Sequence, residues 1–271
     1  MRSQAKAVLA KLHLLETARW FRSFLKGASP KILAQEFRLR FGAPSDGMPL
    51  PPARMMYTVI STRWAVTFLD SGATIVDSIE TALRSSGTSL SNFDSILDFG
   101  CGCGRLIRHL PKYTTAQLFG CDYNPELVAW CAKNLSIGTF ATNTLQPPLP
   151  YSDRSFDFVY ARSVFTHLSE HGQAEWLEEL GRVIKPGGIL YLTMHGEQFF
   201  EQLSYEEQGS VRGGGIVVHR AGDEGSNLCT SFELPEYVRS HLQRGFRLLT
   251  FIPGIADGHL RQDGYVFQRE N

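Results

Sequence analysis

The chain has no surplus of either charge. Its 27 Lys and Arg balance 27 Asp and Glu, so composition makes no electrostatic case for a polyanionic partner. No apolar run approaches the roughly 18 residues that a spanning helix needs, which excludes a transmembrane segment. The N-terminus carries Arg2, Lys6 and Lys11 among alanines and leucines, without a continuous signal-peptide core or cleavage site, and the expected location is cytoplasmic. Cysteines are few and odd in number, five, which fits free thiols in a reducing compartment better than a disulfide framework. Cys101 and Cys103 form a C-x-C pair, but no second Cys/His cluster stands near them, and no metal site is expected. Internal repeats and low-complexity tracts are missing as well. Hydrophobic content of 43% is ordinary for a globule with a real core.

What is present is concentrated in Ser95-Ile-Leu-Asp-Phe-Gly-Cys-Gly-Cys-Gly-Arg-Leu-Ile-Arg-His109. A short apolar run ends in Asp98, and glycine then falls at every second position, Gly100, Gly102 and Gly104. Glycine allows positive φ and lets backbone approach a ligand where a Cβ would collide. A helical pattern over Arg105–Lys112 follows, whose N-terminus would offer unpaired N–H groups and a positive dipole end. Strand, glycine turn and helix together describe a loop for a nucleotide-type cofactor.

Around this stretch, strands and helices alternate. Strands are expected at Ile96–Phe99, Gln117–Asp122, Phe140–Thr142, Phe156–Ala161 and Gly188–Met194, with helices at Pro125–Asn134 and Gly172–Val183 between them. That alternation implies an α/β fold with a parallel sheet covered by helices on both faces. Further on, Ile216–Arg220 reads as a hairpin arm, followed by strand Leu228–Phe232, helix Pro235–Arg244 and strands Phe246–Ile252 and Tyr265–Arg269. The last two strands lack a helix between them and should pair antiparallel at the sheet edge. Before the alternation, helices are expected at 4–26, Pro30–Phe41, Arg54–Ser71 and Thr74–Arg84. A Pro-rich linker, Gly42–Pro52, separates a helical arm (1–52) from the main domain (53–271). Within the latter, 53–91 would form a helical cap, 92–196 the cofactor-binding core and 197–271 a hairpin or lid with the last strands. From Met1 to Arg40 there are nine Lys/Arg against two Asp/Glu. Such an arm suits either contact with a membrane surface or protein partner, or a cap with a solvated basic face.

Two cofactors compete for the glycine loop. A dinucleotide fold wants G-x-G-x-x-G, whose third glycine allows close helix–strand packing; here Arg105 stands at that position. An acid at the strand end, Asp98, sits poorly beside a pyrophosphate and well beside the ammonium and sulfonium of S-adenosylmethionine. Asp122, 24 positions later at the tip of the next strand, can accept both ribose hydroxyls.

Four motifs in order carry a resemblance. They are Leu97-Asp-Phe-Gly-Cys-Gly-Cys-Gly104, Gly120-Cys-Asp-Tyr-Asn-Pro125, Leu149–Val159 with Ser163–Leu168, and Arg182-Val-Ile-Lys-Pro-Gly-Gly-Ile-Leu-Tyr191. The chain resembles the class I S-adenosylmethionine-dependent methyltransferases. The resemblance implies a Rossmann-like, doubly wound sheet of seven strands, mostly parallel with an antiparallel strand at one edge, plus N-terminal helices. It also implies S-adenosyl-L-methionine as cofactor. By that resemblance Gly100, Cys101, Gly102 and Gly104 cradle the methionine part, with Asp98 near its ammonium. Asp122 holds the ribose and Tyr123 lies beside the adenine. Asn143 and Thr144 stand where many relatives place an acid facing the adenine amine, and Arg162 reaches the carboxylate or sulfonium region.

A sulfonium is already an activated methyl donor, so the protein's task is alignment and exclusion of water, with a base where the nucleophile carries a proton. His167 and His195 follow the fourth and fifth strands, where ligands bind in open α/β sheets, and either could be that base or a satisfied structural histidine. Tyr57, Trp64, Phe68, Phe199, Phe200 and Tyr205 could line an apolar pocket or pack the core. The amino-methylating DNA enzymes carry D/N-P-P-Y/F/W after the fourth strand, and this chain has Ala161-Arg-Ser-Val164 there. The expectation is methyl transfer to a small organic acceptor and no nucleic-acid partner. A non-catalytic S-adenosylmethionine-binding module and a nicotinamide oxidoreductase remain the alternatives.

Overall fold

A computed structural model describes residues 34, 36, 37, 39, 46–254 and 262–270. The helix expected at 4–26, most of that at 30–41, and residues 259–261 of His259–Asp263, a run the sequence places between the last strands near the substrate mouth, lie outside them. The chain forms two compact units, Met1–Leu69 and Asp70–Asn271.

The two helices expected before the sheet have different bounds. Helix α1 covers Ala53–Ile60 and stops at Ser61, whose φ of 54° is left-handed and whose N–H closes on Tyr57 O at 2.8 Å. Helix α2 then runs without a break over Ala65–Ser85, through the Gly72-Ala73 gap expected between the two helices. Gly72 is a packing glycine and not a breaker. A Cβ there would lie 2.4 Å from the carbonyl oxygen of Arg105, so the bare helix face is what lets that loop come close.

The second unit holds a seven-stranded sheet: β1 (Ser95–Phe99), β2 (Gln117–Asp122), β3 (Gly138–Thr142), β4 (Phe156–Ala161), β5 (Ile184–Met194), β8 (Phe246–Ile252) and β9 (Asp263–Arg269). A separate pair, β6 (Val217–His219) and β7 (Thr230–Phe232), is antiparallel. The order in the sheet is β3-β2-β1-β4-β5-β9-β8, and β1 to β5 pair parallel. β9 runs antiparallel to both β5 and β8, so the reversed strand sits one place in from the edge. Two-sided burial explains the continuous apolar runs: all of β1 is buried, as is nearly all of β4. Between strands lie α3 (Pro125–Asn134) and α4 (Glu170–Val183); α5 (Tyr205–Arg212) and α6 (Pro235–His241) follow. Asn124 caps α3 by accepting from the N–H groups of Glu126 and Leu127, and Ser169 caps α4 by accepting from Gly172. Trp176, Leu177 and Leu180 of α4 and Tyr237 and Val238 of α6 share one core with Leu97, Val159, Leu190 and Leu192 of the sheet.

One expectation fails at the glycine loop. Arg105–Lys112 is not an α-helix: the chain turns through Gly104–Leu106 and enters a six-residue 3-10 helix, Ile107–Lys112. Pro111 lacks the N–H an α-helix would need there, and Arg108 and His109 are drawn into the interior. The α-helical N-terminus expected directly after the glycines is therefore replaced by a turn and a short 3-10 helix.

Candidate functional site

The parallel register of β1 and β2 sets Asp98 beside Gly120 and Phe99 beside Cys121. Past it, the N–H groups of Gly100 and Cys101 both donate to Cys121 O, at 2.8 and 2.9 Å, hitching the loop to the end of β2. Gly100, Gly102 and Gly104 take φ of 80°, 53° and 78°. A Cβ on Gly100 would lie 2.4 Å from Val164 Cγ2, and one on Gly104 the same distance from Leu135 Cδ1. Cys101, Cys103, Cys121 and Cys131 are all buried in and under this loop. The Cys131 thiol and burial push the Cys101 thiol up, while Cys131 Sγ lies 3.5 Å from Gly102 O. These thiols pack the loop, and among the described residues no three His, Cys, Asp or Glu group to hold a metal.

Asp98 is 3% exposed, and its Oδ2 meets no hydrogen-bond donor. Burial lifts its carboxyl to about 7, opposed by the Tyr160 hydroxyl and by Arg105. Tyr160 faces it by register, since Asp98 pairs with Tyr160 across β1 and β4. Arg105 is held down to about 10 by burial and by Arg162 nearby. Asp122 is fastened to the loop: Oδ2 accepts from Gly102 N at 2.8 Å and Oδ1 from Asn124 N at 2.9 Å. Burial raises its pKa and those two N–H groups hold it back. Tyr123 is 44% exposed, and a Cβ on Gly225 would come within 3.9 Å of its ring. Asn143 turns its amide N–H onto Thr144 O at 2.7 Å and leaves Oδ1 buried without a donor, while the exposed Thr144 hydroxyl bonds Gln146 O.

At the ends of β4 and β5 a polar network gathers. Ser163 sits at φ 56°, and its N–H donates to Thr193 Oγ1 at 2.9 Å. Arg162, Ser163 and Thr193 all donate to Gln262 Oε1, from Ser163 Oγ and Thr193 Oγ1 at 2.8 Å each. His167 and His195 lie with ring centroids 6.4 Å apart at an 84° angle. Both are fastened to the backbone of β7 and the residue before it: His167 Nδ1 to Cys229 O at 2.7 Å, His195 Nδ1 to Ser231 O at 3.0 Å. A carbonyl can only accept, so each Nδ1 carries the proton and each Nε2 a lone pair. Burial lowers the pKa of His167 and takes His195 to about 4, so both imidazoles are neutral at pH 7. Phe199 lies 4.1 Å from the His195 ring, whereas Phe200 is in a small core with Leu203, Val211 and Phe232, and Tyr205 is 91% exposed.

The loop, its unpaired acid and the orphaned amide oxygen fit S-adenosylmethionine. Asp98 Oδ2 awaits a donor such as an ammonium, Asn143 Oδ1 awaits one such as an adenine amine, and neither Gly100 nor Gly104 has room for a Cβ. Fold and site thus define a Rossmann-like domain for a nucleotide-type cofactor that carries positive charge. Residues 97–192 match the methyltransferase domain family. That match covers about a third of the chain, and S-adenosyl-L-methionine is the cofactor that it and the site geometry support. It is 27% identical over 109 residues to a malonyl-[acyl-carrier protein] O-methyltransferase of Coxiella burnetii, covering 40% of this chain and 36% of that one. It is 33% identical over 107 residues to a tRNA (carboxymethyluridine(34)-5-O)-methyltransferase of Arabidopsis thaliana, covering 39% and 25%. The chain thus spans well under half the length of these relatives. In fold it is similar to human N-acetylserotonin methyltransferase, with a TM-score of 0.54 and 17% identity over 90% of this chain and 60% of the other.

Sequence reasoning passed over Tyr160 and Glu233, and it reached Gln262 only as part of His259–Asp263, a run between the last strands near the expected substrate mouth. Tyr160 is a hydroxyl in an otherwise apolar strand, which is a weak signal. Gln262 stands beside Asp263 at the start of β9, about a hundred positions from Arg162 and Ser163. Glu233, fully buried after β7, has no motif at all.

Proposed function

We propose that this chain transfers a methyl group from S-adenosylmethionine to an oxygen, nitrogen or carbon atom of a small organic acceptor. The sulfonium supplies an already activated methyl, so no covalent enzyme intermediate is required. The chain's own part is orientation. In this reading Asp98 faces the ammonium, Gly100–Gly104 seat the methionine part, Asp122 takes the ribose hydroxyls, and Tyr123 and Asn143 flank the adenine. Arg162 lies toward the carboxylate or sulfonium.

The observation that carries the reading is His167. Its Nδ1–H is spent on Cys229 O, which leaves the lone pair on Nε2, and burial keeps the ring neutral. A neutral, fixed imidazole past the end of β4 is equipped to accept the proton of a hydroxyl, thiol, amine or acidic C–H nucleophile. Balanced charge and Ala161-Arg-Ser-Val164 at the end of β4 favour a small acceptor. The Arabidopsis relative's name favours a second reading, transfer to tRNA.

Calorimetry with S-adenosylmethionine, S-adenosylhomocysteine and NAD tests the cofactor half. Transfer of tritiated methyl to a panel of small acids, phenols and amines, set against total tRNA, tests the acceptor half. Label entering tRNA alone would overturn the small-acceptor reading. Tight cofactor binding without transfer to either would favour a non-catalytic binding module.

A further inference from the structure

Of the two histidines at the site, His195 has a side-chain partner at Nε2. His195 Nε2 lies 3.3 Å from the Gln262 side-chain nitrogen. Which end of the Gln262 amide is oxygen follows from its other neighbours. Arg162, Ser163 and Thr193 all bring donors to that end: a guanidinium can only donate, and the two hydroxyls complete the set. The NH2 end therefore points at His195. On its opposite side, His195 Nδ1 faces Ser231 O. Both ring nitrogens are thus committed, Nδ1 as donor and Nε2 as acceptor.

The geometry points to Gln262 as a positioning residue: it ties the ends of β4 and β5 to His195, locks His195 in its Nδ1-protonated form and occupies its Nε2 lone pair, leaving proton acceptance to His167. The inference rests on the proposed methyl transfer for the use of that proton, and on the hydrogen-bond network alone for the tautomer. Every element packed on His195 agrees. Phe199 and Phe232 cover its ring with apolar surface, and the charged or titratable groups acting on it, His167 and Arg162, oppose a second proton. Gln262 immediately precedes the strand that runs antiparallel to β5, which is why its reach spans strand ends far apart in sequence.

The test is imidazole NMR on the full chain with 15N-labelled histidine, assigned with His195→Gln. In the wild type, His195 should show a protonated Nδ1, an unprotonated Nε2 and no titration down to pH ~5, given the site's burial. Gln262→Glu places only acceptors opposite Nε2, so that atom should gain a proton and the His195 midpoint should rise by roughly two pH units. Gln262→Met removes the donor at similar length and should raise it by roughly one. Nε2 protonated in the wild type, or a His195 midpoint unmoved in both variants, would overturn the assignment. S-adenosylhomocysteine calorimetry on the same samples reports folding. A wild type with the expected tautomer and no affinity for that ligand would count against the proposed function and leave Gln262's role standing.

Discussion

Glu233 should be destabilising as a carboxyl, and Glu233→Gln should strengthen the protein. The side chain is fully buried just past β7, and neither carboxyl oxygen meets a donor in hydrogen-bonding geometry. Burial pushes it up to about 8 from an ordinary 4.5, with Ser231 and Gln173 pulling the other way and Asp263 adding to the rise. Gln173 gives its amide N–H groups to Phe165 O and Ser231 Oγ, and its Oε1 has no donor. The acid form of Glu233 brings one into this pocket. A native pKa above the unfolded one means that the folded state holds a proton the unfolded chain has released. Stability is then complete below pH 4.5, falls as pH rises toward about 8, and levels off above it. At ~1.36 kcal/mol per pKa unit, the penalty is about 3 kcal/mol at pH 7 and about 5 kcal/mol at pH 9. Glutamine cannot ionise, and its NH2 can serve the same acceptor. The variant should match the wild type near pH 4.5 and be more stable by those amounts at pH 7 and 9. At pH 7 that amounts to roughly 6–12 °C in melting temperature for a chain of this size. Urea unfolding at three pH values reads the difference directly. Parallel pH profiles, or a variant weaker at pH 9, would refute the argument.

Two further outcomes are expected. Gly100→Ala and Gly104→Ala each force a Cβ to within 2.4 Å of a neighbouring methyl at positive φ; each should cost roughly 1–3 kcal/mol of stability and reduce S-adenosylhomocysteine affinity more than tenfold by calorimetry, and unchanged affinity would separate the loop from binding. If His167 is the base, its lowered pKa requires that methyl transfer be flat with pH above neutrality and fall only in acid, and His167→Ala should abolish transfer while sparing cofactor affinity. A rate that keeps climbing above pH 8 would assign the proton to another group.

The cofactor half of the site is legible because it is local. Asp98 and Asp122 lie on two adjacent parallel strands and the three alternate glycines in the loop after the first, so their order along the chain is nearly their order in space. The strand–helix alternation was equally readable, since two-sided burial imposes continuous apolar runs. Where reading failed, a neighbour distant in sequence overrode the local pattern. Gly72 looked like a helix break and is instead the close approach of α2 to Arg105. Arg105–Lys112 looked helical, but Pro111 and the burial of Arg108 and His109 produced a 3-10 turn.

Sequence alone therefore determined the α/β class, the glycine loop and the donor it suits, because each follows from backbone geometry and hydrogen-bonding capacity within a few residues. Tertiary structure alone decided the burial and hydrogen-bond partners of His167, His195, Gln262 and Glu233. Their protonation depends on burial and on partners from strands that meet only after the chain has folded.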